Sequence, residues 1–379
     1  WIVPDAPSTQ VRVKVSVVGD ASVYDASGGN FTIRGGFTLT APNGAERWAV
    51  GTSQNITWTT FGTIPNVKLE FSTNSGQNWN VITNSVTNTG TYGWTIPDAI
   101  ADTCRVRVYD INDPIASDTS NADFKIHGSL SLSAPNGGET WGVGSAQSIQ
   151  WTRVGSVSNV RLDYSTDGGA TYPNLIVNAT PAAVLSYNWS VPDAISTNVK
   201  VRISVTGDST VNDESDGVFK IKGSFLLNAP NGGEAWIVGT SQSITWTTFG
   251  TVANVKLEYS IDGGTEWNII VNSVANAGTY PWTVPDMITI LGRVRVSDAN
   301  DSSASDASNN NFKIRGNLTI TAPTAASKWN VGTSQIIAWA RVGSIANVRL
   351  EYSDNGGATY VPITNSTPNT GSYSWTVPD

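Results

Sequence analysis

The residues best suited to chemistry in this chain are oxygen donors. Asp110, Asn112, Asp113 and Asp118 crowd one stretch, and Asp298, Asn300, Asp301 and Asp306 repeat it. Carboxylates and amides at that density are calcium ligands by type, since Ca²⁺ takes about six to eight oxygens. The spacing is not that of an EF-hand loop, and the related stretch with Asp208, Asp213, Glu214 and Asp216 differs. Two expectations stand: calcium held in these loops and stiffening the chain, or solvated acidic loops.

Catalytic constellations are missing. The one histidine, His127, stands where other parts of the chain have Arg34, Lys222 and Arg315, which is the behaviour of a solvated basic residue. The one cysteine, Cys104, aligns with Val11, Val199 and Gly292, so it belongs to no disulfide framework. No P-loop, GxSxG, HExxH or CxxC spacing occurs. Glu70, Asp163, Glu258 and Glu351 recur beside Lys68, Arg161, Lys256 and Arg349. They read as the outward face of a strand, a surface-charge pattern and not an acid/base pair. The chain is expected to be no enzyme and to need no cofactor unless calcium. Seven N-x-[ST] sequons, at Asn30, Asn55, Asn178, Asn188, Asn300, Asn317 and Asn365, are candidate glycosylation sites. Asn188 adjoins Trp189 and, as its strand neighbour, is expected to face outward.

What must position these groups is a repeat. The pentapeptide W-x-[VI]-P-D starts at Trp1, Trp94, Trp189, Trp282 and Trp375, at intervals of 93, 95, 93 and 93 residues. A period of that length is too long for a solenoid unit and long enough for a small domain with its own core. Within one period, Phe37 to Thr40, Ile56 to Thr59 and Val67 to Phe71 alternate apolar and polar residues, as half-buried strands do. Pro42-Asn43-Gly44 reads as a turn, and Asp167-Gly168-Gly169, Asp262-Gly263-Gly264 and Asn355-Gly356-Gly357 as hairpin tips. Pro97 ends a strand carrying Tyr92, Trp94 and Ile96, because proline cannot donate to a ladder. About seven short strands and no helical period predict an all-β, immunoglobulin-like or fibronectin-III-like sandwich. The immunoglobulin cysteine pair is absent, so tryptophans are expected to fill its volume.

The repeats alternate. Trp58 to Thr63 matches Trp246 to Thr251, whereas Trp151 to Ser156 matches Trp339 to Ser344. The hairpin aromatic follows: Trp79 and Trp267 against Tyr172 and Tyr360. The organisation reads as residues 1–35, the C-terminal part of a B-type repeat; 36–128, A-type; 129–223, B-type; 224–316, A-type; and 317–379, the N-terminal part of a B-type repeat. Linkers such as His127-Gly128-Ser129 leave little room to swivel, which predicts a semi-rigid rod. Two readings of the end segments follow: a window on a longer array, or half-domains completed by the next subunit. The five-residue overlap of the first and last pentapeptides favours the window.

The runs Ala134 to Trp141 with Ile149-Gln150-Trp151, Ala229 to Trp236 with Ile244-Thr245-Trp246, and Gly278 to Pro285 resemble the KRE/KNH-like immunoglobulin-like repeats. That family is named from fungal cell-wall proteins and is common in secreted proteins of bacteria and archaea. The resemblance covers nearly the whole chain and implies the fold and an extracellular or cell-wall setting; it brings no catalytic residues. Asn43-Gly44-Ala45-Glu46 and Pro323 to Lys328 depart from the motif, which predicts looser turns there.

Charge and hydropathy narrow the partners. With 22 basic against 30 acidic residues and a net charge of −8, the chain is not expected to bind nucleic acid. No apolar run approaches the roughly 20 residues of a membrane span. No signal peptide or initiator Met is visible, so the chain is expected to be processed or part of something longer. The expected function is a structural one: part of an extracellular fibre, stalk or cell-surface filament, with copies of itself as partners. The alternative is an adhesin or carbohydrate-binding array of many weak sites on cell-wall or surface glycan, with Trp79 and Trp267 as stacking residues.

Overall fold

The computed structural model describes all 379 residues. It is all-β apart from one short 3₁₀ turn at Ala182–Val184. The chain falls into two compact units: residues 1–139, 148–189 and 198–219 in one, and residues 140–147, 190–197 and 220–379 in the other. Repeat 36–128 lies wholly in the first and repeat 224–316 wholly in the second; repeat 129–223 contributes strands to both.

Repeat 36–128 shows the architecture. Its strands are β1 (Gly36–Ala41), β2 (Arg47–Ala49), β3 (Ser53–Phe61), β4 (Asn66–Ser72), β5 (Asn80–Thr87), β6 (Thr91–Thr95), β7 (Ala101–Asp110), β8 (Ser117–Thr119) and β9 (Phe124–His127). One sheet runs β6-β3-β1; the other runs β2-β9-β7-β4-β5, with β8 on the far end of β7. The two extra strands relative to the seven expected are the three-residue β2 and β8. The first is held only by parallel pairing to β9, Trp48 opposite Ile126, a long-range partnership that no local pattern announces. Repeat 224–316 reproduces both sheets.

The core lies between the sheets. Leu39, Ile56, Trp58, Val67, Leu69, Trp94, Val106, Val108, Phe124 and Ile126 are buried together. Aromatic rings meet within this core: Trp48 meets Trp94 edge-on at 6.0 Å and Phe124 at 5.1 Å, and Phe71 tilts onto Trp94 at 5.2 Å. Cys104 is buried among them as a free thiol, and burial pushes it up to about 11, so it packs as a small apolar group. The buried indole of Trp58 donates to Asn88 Oδ1 at 2.8 Å, and no buried side-chain nitrogen or oxygen lacks a partner.

The P-N-G turn owes its shape to a carboxylate. Glu46 accepts the amides of Asn43 and Gly44 at 2.8 and 2.7 Å, and Glu139 and Glu234 do the same in their repeats. The departure at Ala45 therefore does not loosen the turn; it forces an alanine to φ 68, where Gly138 and Gly233 sit at 86 and 87. A left-handed alanine costs about 1 kcal/mol that glycine does not. Ala45→Gly is expected to raise stability by roughly 0.5–1 kcal/mol in urea denaturation. In the other departure the glutamate is gone, and Ser327 Oγ takes the Thr324 amide instead.

One strand-pattern expectation needs correction. Glu70, Asp163 and Glu258 do not face water but are buried. Lys68 and Arg107 close over Glu70, with Arg107 Nε donating at 2.7 Å. Lys256 and Arg295 do the same at Glu258. The guanidinium of Arg107 lies 4.5 Å from the Trp79 ring centre, and Arg295 lies 4.3 Å from Trp267. The outward face of the strand is thus roofed by side chains from its neighbours.

Candidate functional site: a carboxylate clasp between repeats

The feature that recurs with function-like fidelity is the last residue of W-x-[VI]-P-D. Trp94 is buried at the end of β6, and the Ile96 amide still bonds Thr52. Pro97 then breaks the ladder, and the Ala99 amide folds back onto the Pro97 carbonyl at 2.8 Å. That tight turn, repeated at Pro4, Pro192 and Pro285, projects the aspartate out of its own sandwich.

Each aspartate reaches a residue 58 positions on, in the next repeat. Asp5 takes Thr63, Asp98 takes Ser156, Asp193 takes Thr251 and Asp286 takes Ser344. One carboxylate oxygen accepts the backbone amide at 2.8–3.0 Å, and the other accepts the hydroxyl at 2.5–2.7 Å. Two charge-assisted bonds to one residue fix direction as well as distance. The first two clasps lie within one compact unit and the last two within the other. The receiving loop is preset: the residue before each Ser or Thr is a glycine with positive φ, 84 at Gly155 and 89 at Gly250. A side chain there would crowd the carboxylate, since a Cβ on Gly155 would stand 3.3 Å from Asp98 Oδ1 and 3.1 Å from Val50.

The hydroxyl and amide of the partner hold Asp5, Asp98 and Asp286 below the usual carboxylate range. A lowered carboxylate stabilises the joint above its unfolded pKa, and this contribution is lost as pH falls through the folded pKa. Asp98→Ala is expected to expose the Ser156 amide. Hydrogen exchange there should rise to the rate of an open loop, whereas Ser156→Thr should keep its protection. Unchanged protection in Asp98→Ala would dismiss the clasp.

A second set of contacts joins basic residues of one repeat to the acidic loop of the next. Arg34 pairs with Asp113 at 3.1 Å. Lys125 and Arg47 both grip Asp208, at 2.7 and 2.8 Å, and Lys125 also reaches Asp102. In the other unit Lys220 pairs with Asp301 at 2.6 Å, and Lys222 donates to the Ser303 carbonyl. A cleft in the first unit, lined by Ile100, Asp102, Lys125, His127, Ser156 and Asp208, opens beside these pairs. His127 Nδ1 lies 2.7 Å from the Gly128 carbonyl.

The eight residues weighed for calcium are thereby distributed over three tasks. Asp113 and Asp301 meet cations. Asp110 and Asp298 accept the amides of Asn112 and Asn300, closing local turns. Asp118 and Asp306 bind the Leu39 and Leu227 amides at 2.6 and 2.7 Å, tying each loop to the first strand. No group of three or more His, Cys, Asp or Glu gathers in a metal-holding arrangement. Millimolar Ca²⁺ is expected to leave the melting temperature unchanged; a rise would restore the loops as a cation site. All seven sequon asparagines, Asn30, Asn55, Asn178, Asn188, Asn300, Asn317 and Asn365, are exposed, so each is accessible to a glycosylating enzyme.

Strand pairing and paired sheets define the class: a tandem array of immunoglobulin-like sandwiches. No protein-family model matches the chain, and no curated protein matches it. Solved structures similar to it include fibronectin(III)-like modules of CbhA from Clostridium thermocellum, at 20% identity over 49% of this chain and 94% of that one, with a TM-score of 0.18. The four N-terminal Ig domains of Dscam1 isoform 6.44 match at 10% identity over 90% and 98%, with a TM-score of 0.22. Immunoglobulin domains 1–5 of Sidekick-1 match at 9% identity over 91% and 80%, with a TM-score of 0.22. Likeness at this level gives the chain neither a relative nor a role. No helix is long and apolar enough to cross a membrane.

Proposed function

We propose that this chain is a non-catalytic structural array, part of an extracellular stalk, fibre or cell-surface filament of the KRE/KNH-like type, in which the clasps keep successive repeats from swivelling. The observation that carries the reading is the fourfold recurrence of the aspartate clasp at a constant offset. A protein whose repeats worked independently has no need of a fixed joint at every boundary. The basic arms onto Asp113, Asp208 and Asp301 support the same reading. The glycan-binding alternative is weakened at its best residues, because Trp79 and Trp267 are half-buried with Arg107 and Arg295 lying over them.

Force spectroscopy on the chain, with immunogold labelling of the source cells, tests the proposal. The expected result is a sawtooth in which each repeat releases about 30 nm, and label outside the cell. Cytoplasmic label, or extension without stepwise resistance, would overturn it.

A further inference from the structure

The buried carboxylate under the outward strand face is a glutamate in both A-type repeats and an aspartate in repeat 129–223. The missing methylene changes what surrounds it. Glu70 Oε2 accepts from Arg107 Nε at 2.7 Å, and Glu258 Oε2 accepts from Arg295 Nη2 at 2.7 Å. Asp163 is too short to make the equivalent bond. Arg161 holds its two oxygens through Nε and Nη2, both at 2.8 Å. Arg202 Nη2 stays 3.8 Å away, beyond hydrogen-bond reach. The Tyr172 ring places Arg202 instead, with the guanidinium 4.3 Å from the ring centre. Glu214, opposite Arg202 on the adjoining strand, is taken up by Tyr172 at 2.6 Å and Lys200 at 3.3 Å. The Arg202 fork is thus held by stacking, with neither carboxylate bonded to it.

A cleft of about 360 Å³ lies in front of this fork, lined among others by Arg161, Asp163, Asn178, Arg202, Thr206 and Ser209. Both arginine side chains reach its solvent side, 43% and 36% exposed, while Asp163 is 2% exposed. Two cations against one carboxylate leave the cleft one positive charge. Its rim is also relieved of an acid: Asp110 and Asp298 stand opposite Val67 and Val255 in the A-type repeats, whereas Val205, a lining residue, stands opposite Val160. We propose that this cleft binds the carboxylate of an acidic sugar, with Arg202 as the fork and Arg161 as the second cation. A planar guanidinium fork matches a carboxylate through two parallel bonds. Asn178, Thr206 and Ser209 offer donors and acceptors to sugar hydroxyls, and the volume suits a ligand of that size. The whole cleft lies within one repeat and one compact unit. Its failure as a site would leave the clasps and the force measurements untouched.

Arginine Nε–Hε resonances of the 379-residue chain, followed by NMR at constant ionic strength, test the proposal. The titrants are glucuronate, glucose and inorganic sulfate. Glucuronate is expected to move the Arg202 and Arg161 signals to saturation, and glucose to leave them in place. Sulfate is expected to bind about 10-fold more weakly than glucuronate; sulfate binding as tightly would overturn the sugar acid as ligand. Asp163→Glu gives this repeat the carboxylate with which the A-type repeats fold. It is expected to capture Arg202 and weaken glucuronate by about 10-fold or more, with circular dichroism unchanged. Arg202→Lys keeps the charge without the fork and is expected to weaken binding to a similar degree. Shifts that never saturate, shifts of equal size at Arg107 and Arg295, or an affinity indifferent to both variants would overturn the proposal.

Discussion

Replacing Gly128 by alanine is expected to destabilise the chain by about 1–3 kcal/mol, an overpacking cost, with the loss concentrated at one joint. The backbone there is not in a conformation that demands glycine; space is what demands it. An added methyl would stand 2.5 Å from Val157 Cγ2 and 2.7 Å from the Val154 carbonyl. Val157 is a core side chain and the carbonyl is backbone, so neither can swing aside as a long side chain would. Gly35, Gly223 and Gly316 are blocked in the same way by Ile64, Val252 and Ile345 of the following repeat. The linker glycines are thus contact points and not flexible spacers. Urea denaturation with small-angle scattering checks this: the midpoint should fall, or the joint should yield and the scattering profile change. A variant matching wild type in both measurements would refute it.

The second large effect belongs to the buried glutamates. Burial alone would raise Glu70, but its hydrogen bonds with Lys68 and Arg107 overcome this and hold the carboxyl below its usual range; Glu258 behaves alike with Lys256 and Arg295. A carboxylate depressed in the folded state adds stability that is fully present above its unfolded pKa. That stability disappears as pH falls through the folded value. Glu70→Ala leaves two cations side by side over a buried gap. It is expected to cost about 1–3 kcal/mol near pH 7, less than for a fully enclosed pair because Lys68 and Arg107 are partly exposed. Glu70→Gln should lose less, and its deficit should shrink as pH falls from above the unfolded carboxylate pKa through the lowered folded value, where the wild-type carboxylate is itself being protonated. Melting temperatures of wild type and Glu70→Gln across that range provide the measurement; a constant gap would show that the charge is irrelevant.

The sandwich was legible because its strands alternate with period two and its turns carry Asn, Asp and Gly where positive φ is needed. Val67, Leu69 and Phe71 point inward as the pattern requires. The same alternation misplaced Glu70. A Lys-Glu pair on a strand looks solvated, and nothing local reveals that Arg107, its guanidinium against the Trp79 ring, arrives from β7 to cover it. The short strand β2 is hidden for the same reason, since it exists only through the distant β9; β8 is a hairpin return on the adjacent β7, too short for an alternation to show. The clasp was within reach. Its aspartate closes the pentapeptide, and its acceptors are the Gly-Thr and Gly-Ser pairs that distinguish A-type from B-type repeats. Fifty-eight residues separate donor and acceptor every time, and a separation that survives a change of repeat type points to contact.

That indifference to type has an evolutionary corollary. Thr63 and Thr251 receive the aspartate in A-type repeats, Ser156 and Ser344 in B-type ones, through the same two atoms. Every joint therefore has the same plug and the same socket. Unequal recombination that drops or duplicates a whole repeat rejoins compatible ends without a new interface having to arise. Array length becomes a trait that selection can adjust in steps of one domain, while the chemistry of each boundary stays constant.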